Sequence, residues 1–222
     1  MTGRIYIYTL LLCLLLLAAC KEEEYVYPSV LTEFIDIQTD SSGTITHLLT
    51  DKGERYAVQP REGLDGLRAD TTYRTVSIYR FANETTDRTE PEVMLYSSQS
   101  VIAPYPQKLS EWEDSICTDP VDIQSIWLSG NYLNLILDVR RKDQAHVFHF
   151  IEDSLTAERA GTHTLYLRLY HNSNNDYEAF TDQTYLSVPL RHYRDSLHAG
   201  DKIRFRLNTY KEGETYRDFP IN

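Results

Sequence analysis

Leu133, Leu135, Leu137 and Val139 fall at every second position, with Asn134, Ile136 and Asp138 between them. Side chains alternate across a strand, so such a row describes a strand with one buried face, whereas a helical period would scatter it around a cylinder. Leu165, Leu167 and Leu169 repeat the row against Tyr166, Arg168 and Tyr170, and Ile203, Phe205 and Leu207 repeat it again. Val121, Ile123, Ser125 and Trp127 share one phase, and Glu152 to Gly161 reads as a polar crossover. Turn residues such as Ser129-Gly130-Asn131 punctuate these runs. About six strands at regular spacing predict a β-sandwich of immunoglobulin-like architecture over residues 118–213, with a C-terminal tail at 214–222.

The first half is also built of strands, in a different rhythm. Leu31–Thr39, Thr44–Leu49 and Glu54–Gln59 are three short runs separated by Asp40-Ser41-Ser42-Gly43 and Asp51-Lys52-Gly53. A Gly-rich break at Glu62–Leu67 follows, then runs over Thr71–Phe81 and Val93–Ala103. Three strands, a break and two more match a five-stranded barrel of the OB type over residues 30–103. Pro104 and Pro106 open a stiff linker over 104–117, with one helical turn expected between Glu111 and Cys117. The fold class is therefore all-β, with an OB-like barrel followed by a sandwich.

No disulfide framework holds these domains. Of three cysteines, Cys13 lies in the apolar run that follows Arg4, and Cys117 sits between acidic residues, as small buried filler. Residues 1–19 have the layout of a secretory signal peptide and are too short an apolar run to serve as a membrane span. Leu17-Ala18-Ala19-Cys20 resembles a bacterial lipobox, which implies cleavage before Cys20, acylation (palmitate) of that residue, and a tether over 20–29. Lys21-Glu22-Glu23-Glu24 resembles the acidic tag that directs lipoproteins of Bacteroidota to the cell surface. The expected location is the outer membrane, lipid-anchored and facing the exterior. Removing residues 1–19 takes away only Arg4, leaving 21 basic residues against 33 acidic and a formal charge of −12. Nucleic acid is excluded as a partner, because binding it requires Lys and Arg to displace phosphate counterions.

Several runs resemble the NigD-like lipoproteins of Bacteroidota. They are Tyr27–Phe34, Asp70-Thr71-Thr72-Tyr73-Arg74, Thr118–Trp127, Tyr132-Leu133-Asn134-Leu135, Phe148–Asp153 and Leu167–His171. The resemblance covers nearly all of the chain after Cys20. It implies an OB-like domain followed by a β-sandwich. An immunity role against a bacteriocin goes with the family's name, and no catalytic residues go with it.

Candidate sites are sparse. His146 and His149, three apart on a strand, point to opposite faces and do not converge on a metal. Residues 171–176 lack a calcium-loop pattern and read as a turn. Adjacent Glu152 and Asp153 diverge, unlike a glycosidase pair. Neither a cofactor nor a metal centre is expected. Tyr166, Arg168, Tyr170, Arg204 and Arg206 lie on the non-core phases of two strands; in one sheet they would make an aromatic, basic ligand face. The 17 tyrosines suit either strands or interfaces. Thr71, Ser115, Ser154 and Ser196 stand in Asp-Ser/Thr-apolar triplets that resemble O-glycosylation acceptors of Bacteroidota. The chain reads as a non-enzymatic binding or accessory lipoprotein with an unknown protein or glycan partner. The alternatives are a bacteriocin immunity protein and a glycan-binding or adhesion protein.

Overall fold

The computed structural model describes residues 29–82, 90–113, 115–158 and 161–221 of the 222-residue chain. The signal peptide, Cys20, the Lys21–Glu24 tag and all but Ser29 of the tether lie outside them. Among the described residues there is no α-helix, only strands and two short 3-10 turns.

Strands β1 (Leu31–Thr39), β2 (Ile45–Thr50), β3 (Arg55–Val58), β4 (Thr72–Phe81) and β5 (Glu92–Ser100) close into a barrel in the order β1-β2-β3-β5-β4. The β3–β5 pair is parallel and the others antiparallel, as the OB plan requires. Inward residues Ile35, Ile37, Leu48, Tyr79, Val93 and Leu95 fill it. Closure removes free strand edges, which a five-stranded open sheet would leave unpaired.

The remaining strands are β6 (Gln107–Lys108), β7 (Asp122–Ser129), β8 (Tyr132–Arg141), β9 (Val147–Ala157), β10 (His163–Asn172), β11 (Phe180–Pro189), β12 (Lys202–Thr209) and β13 (Gly213–Pro220). They form a five-stranded sheet, β13-β12-β10-β9-β6, facing a three-stranded one, β11-β8-β7. The alternating rows of Leu133–Val139, Leu165–Leu169 and Ile203–Leu207 meet between the sheets as one core with Phe150, Leu186 and Val188. The pairs β10–β12 and β6–β9 are parallel, a mixed feature within the sandwich.

Several expectations change. Residues 213–220 are a strand rather than a tail: Glu214, Tyr216 and Asp218 face out while β13 covers the edge of β12, and an edge strand tolerates such charge. The polar crossover expected from Glu152 continues β9 to Ala157, antiparallel to β10. The linker is part of the sandwich. Just before it, Ile102 of the expected barrel range already donates to Tyr185 O and accepts from Ser187 N; within it, β6 joins β9 and Trp112 packs on His149 and Tyr170. The helical turn expected between Glu111 and Cys117 is replaced by a 3-10 turn just ahead of it, at Leu109–Glu111. The shared phase of Val121, Ile123, Ser125 and Trp127 is broken by a β-bulge between Ile123 and Ser125. One extra residue flips the row, so Ile126 and Leu128 join the sandwich core and Trp127 turns outward.

Candidate functional site

Trp127 turns outward onto the barrel. The outer face of β1 and β4 packs on the outer face of the three-stranded sheet, with Phe34 edge-on to Trp127 at 5.2 Å and to Tyr185 at 5.9 Å. At the centre of this seam stands Arg74, its side chain 4% exposed. It donates to Asp51 through two parallel bonds of 2.7 and 2.9 Å, to Asp36 at 3.3 Å, to Asn134 Oδ1 at 3.0 Å and to Ser187 Oγ at 3.2 Å. All five guanidinium N–H groups are thereby filled, three within the barrel and two across the seam. Asn134 Nδ2 donates back to Asp51, and Tyr132 donates its hydroxyl to Asp36 while its ring lies 3.8 Å beneath the guanidinium carbon. Burial raises Asp36 against the opposing pull of Arg74 and the Tyr132 hydroxyl. The Tyr132 hydroxyl is pushed up to about 12, by burial and then by Asp36, and so remains a donor.

The β7–β8 turn completes the joint. Gly130 has φ +55, and a Cβ there would lie 2.2 Å from the backbone oxygen of Asp51. Gly130→Ala combines a left-handed backbone with an overlap against main chain. It is expected to lose about 2 kcal/mol, read as a lower urea midpoint with Trp127 fluorescence moving first.

The Arg74 network divides the seam into two clefts. One, about 320 Å³, is walled by Phe34, Val76, Trp127, Ile136 and Tyr185, with Glu33, Asp51, Lys52 and Glu54 around it. The other, about 490 Å³, is bounded by Asp36, Gln38, Tyr73, Tyr105, Tyr132 and Arg191. Two carboxylates lining the first accept from tyrosines of the barrel core: Tyr79 donates to Glu33 at 2.6 Å and Tyr56 to Glu54 at 2.9 Å. Burial and then the Glu54 hydrogen bond push Tyr56 up to about 12, so it too stays a donor.

Strands β10 and β12 do share a sheet, with Tyr166 beside Arg204 and Arg168 beside Arg206. Yet the face is not a free basic patch. Arg168 pairs with Asp153 at 2.6 Å, Arg204 with Asp218 at 2.6 Å, and Arg206 with Glu214. The Arg204 hydrogen bonds hold Asp218 below the usual carboxylate range, against its partial burial. Tyr170 is on that face but covered: it is buried beneath Trp112 of the former linker. What is left is a shallow depression with Tyr216 at its side. Exposed pairs contribute little, so Arg206→Ala is expected to shift stability by at most about 1 kcal/mol in urea titration.

His146 stands just ahead of β9 rather than on a strand with His149; His149 packs on Trp112, and His146 meets a residue the sequence did not pair with it. Its Nδ1 is 2.9 Å from Nε2 of His171, and its Nε2 is 3.3 Å from Asp176. Among the described residues no group of three or more His, Cys, Asp or Glu side chains is placed to hold a metal ion. Cys117 is the free cysteine among the described residues and is half-buried rather than core; its carbonyl accepts from His171 N at 3.1 Å. Of the glycosylation candidates, Ser115, Ser154 and Ser196 are exposed, while Thr71 is half-buried and donates to Ala69 O.

An OB-type barrel locked through a buried arginine onto a two-sheet sandwich defines the class: a two-domain all-β protein whose domains act as one body. The model of the NigD-like C-terminal beta sandwich domain matches residues 103–221, just where the barrel ends. A NigD-like immunity protein from Bacteroides caccae is 34% identical, covering 88% of this chain and 94% of its own, with a TM-score of 0.68. This chain belongs to the NigD-like family. The same fold recurs in a protein of unknown function from Bacteroides vulgatus, 19% identical over 87% of this chain and 92% of that one, at TM-score 0.68. A Bacteroides fragilis protein that carries the name of a lipoprotein is 13% identical, covers 88% and 99%, and reaches 0.62. Among curated proteins nothing matches the chain.

Proposed function

We propose that this chain is a lipid-anchored outer-membrane protein facing the cell exterior, a non-enzymatic module that presents a rigid binding surface. The observation that carries the reading is the Arg74 seam. A buried network across the domains fixes their geometry and keeps two open clefts between them. A preorganised surface binds with less ordering cost than two domains on a loose linker. The lipobox at Cys20, the Lys21–Glu24 tag and the lipoprotein name of the Bacteroides fragilis relative support the anchor. Among the described residues no helix is long and apolar enough to cross a membrane. Acyl chains, at about 0.8 kcal/mol per buried methylene, would then supply the attachment. Cys20→Ala is expected to move the protein from the membrane fraction to the soluble fraction. Protease added to intact cells is expected to degrade the wild-type protein, and full protection would sink the exterior placement.

A second reading follows from the name of the Bacteroides caccae relative: immunity, in which the bound partner is a toxin. A deletion strain should then be more sensitive than its parent to the cognate bacteriocin, and equal sensitivity would remove this reading.

A further inference from the structure

The cleft lined by Phe34, Trp127 and Tyr185 has a charge arrangement that the seam does not need. Asp51 is occupied by Arg74. Glu33 and Glu54 are held differently. Their hydrogen-bond donors are neutral hydroxyls: Tyr79 for Glu33, Tyr56 and Thr50 for Glu54. Among the described residues no basic side chain forms an ion pair with either glutamate. The two donors, Tyr79 and Tyr56, stand side by side with ring centres 6.3 Å apart, which brings both carboxylates to the same end of the barrel. Two negative charges are thus set by tyrosine donors at the edge of an aromatic and aliphatic floor, on a chain of net charge −12 after residues 1–19.

We propose that this cleft accepts a lysine or arginine side chain presented by a partner protein, which rests on the reading of the chain as a binding module. Three features fit that occupant. Val76, Ile136 and the ring of Phe34 offer apolar surface to an aliphatic stem, which long cationic side chains bury readily. Trp127 and Tyr185 line the cleft, and aromatic rings attract a cation. Glu33 and Glu54 receive the charged head, making charge-assisted hydrogen bonds stronger than neutral ones. A volume of about 320 Å³ lies at the small end of ligand cavities and suits one side chain rather than a whole peptide. Lys52, on the β2–β3 turn, lines the same cleft, so the carboxylates must outweigh it; two against one leaves the rim negative.

Trp127 is the reporter, with Trp112→Phe removing the other tryptophan. The probes are a lysine- and arginine-rich dodecapeptide, its glutamine analogue and spermidine. The basic peptide should change Trp127 emission saturably, and Glu33→Gln/Glu54→Gln should weaken it about ten-fold or more. The amides still accept from Tyr79 and Tyr56, so the variant should fold; an unchanged urea midpoint verifies this. No saturable change up to about 1 mM, equal binding of the glutamine analogue, or full binding by the double variant each overturns the proposal. Spermidine binding as tightly as the peptide overturns the protein partner in favour of a small amine. None of these outcomes alters the fractionation and protease results, which test the anchor and exterior placement separately.

Discussion

Arg74→Met is expected to cost about 3–5 kcal/mol, the largest loss available from one side chain in this molecule. Removing the guanidinium leaves Asp36 and Asp51 facing each other in the seam without a cation between them, and leaves Asn134 and Ser187 short of a donor. The penalty comes mostly from those stranded acceptors rather than from the lost attraction. This gives the variant a pH signature. Asp36 is already raised by burial, and losing Arg74 removes the nearer opposing cation, leaving Arg191 at 3.8 Å. A carboxyl whose folded pKa stands above its unfolded value destabilises the fold as pH rises through that range, and the penalty is relieved as pH falls. Arg74→Met should therefore narrow its gap to the wild type as pH falls from about 7 to about 5, because Asp36, already raised in the wild type, is raised further without Arg74. Urea titrations at the two pH values measure both terms. Arg74→Lys should lie between the two proteins, since an ammonium keeps the charge but cannot bind Asp51 in two parallel bonds while reaching Ser187 and Asn134. If Arg74→Met left the midpoint unchanged, the seam would not be what holds the domains together.

Which parts of this were legible beforehand follows from how strands display their residues. Single-faced rows such as Leu165–Leu169 announce themselves, because apolar and polar residues separate cleanly by phase. The seam strands do not separate: β1 carries Phe34 beside Ile35, and β4 carries Arg74, Val76 and Ile78 on the phase opposite Thr75, Ser77 and Tyr79. Apolar residues on both phases mean that both faces are covered, one by the barrel core and one by the neighbouring domain. That mixture at Phe34, Val76 and Trp127 was the available sign of a seam, and the bulge beside Ser125 concealed the last of them. Arg74, Tyr132 and Asn134 all lie in runs that carry the family resemblance, Asp70–Arg74 and Tyr132–Leu135. Their partner Asp51 stands in a turn, where composition alone explains an aspartate. β13 escaped notice because an outer strand with Glu214, Tyr216, Arg217 and Asp218 has the composition of a solvated tail. The neutralised face on β10 and β12 shows the converse limit. Strand phase placed Arg204 and Arg206 on one face correctly, but Asp218 and Glu214, which cancel them, sit on the strand that composition hid.

Acidification should loosen the far end of the sandwich before it reaches the rest of the molecule, because of how protons are placed between His146 and His171. His171 Nδ1 is 2.9 Å from the carbonyl of Asp119, which only accepts, so this nitrogen carries the hydrogen. Burial, aided by His146, keeps His171 below the ordinary histidine range, so its Nε2 is a free lone pair facing His146 Nδ1. His146 must then donate from Nδ1. Its other nitrogen faces Asp176, a carboxylate held well below its usual range: burial works against this, but backbone N–H groups of Lys142, Asp143 and Gln144 and the His146 contact outweigh it. Asp176 in turn ties the β8–β9 loop to the β10–β11 loop through Lys142 N at 2.6 Å and Asp143 N at 3.2 Å. Protonating His171 would set two donors face to face at 2.9 Å and break the chain at its middle. The sign follows from the lowered folded pKa. Above about 6.5 both folded and unfolded chains leave His171 neutral, and below it the unfolded chain binds a proton that the folded one resists, so stability falls with pH. A second loss should follow below about 4, when Asp119 and Asp176 take up protons in the unfolded chain first. His171→Phe keeps the stacking on Phe148, now 4.4 Å and 4° from parallel, but strands His146 Nδ1 and the Asp119 carbonyl. It should cost about 2–3 kcal/mol at pH 7.5 and flatten the upper step of the profile while leaving the carboxylate step in place. Amide hydrogen exchange along 142–147 and 173–179 at pH 7.5 and 5.5 reads the local effect. Equal protection at both values in the wild type, or an upper step that survives in His171→Phe, would assign the acid response to other groups.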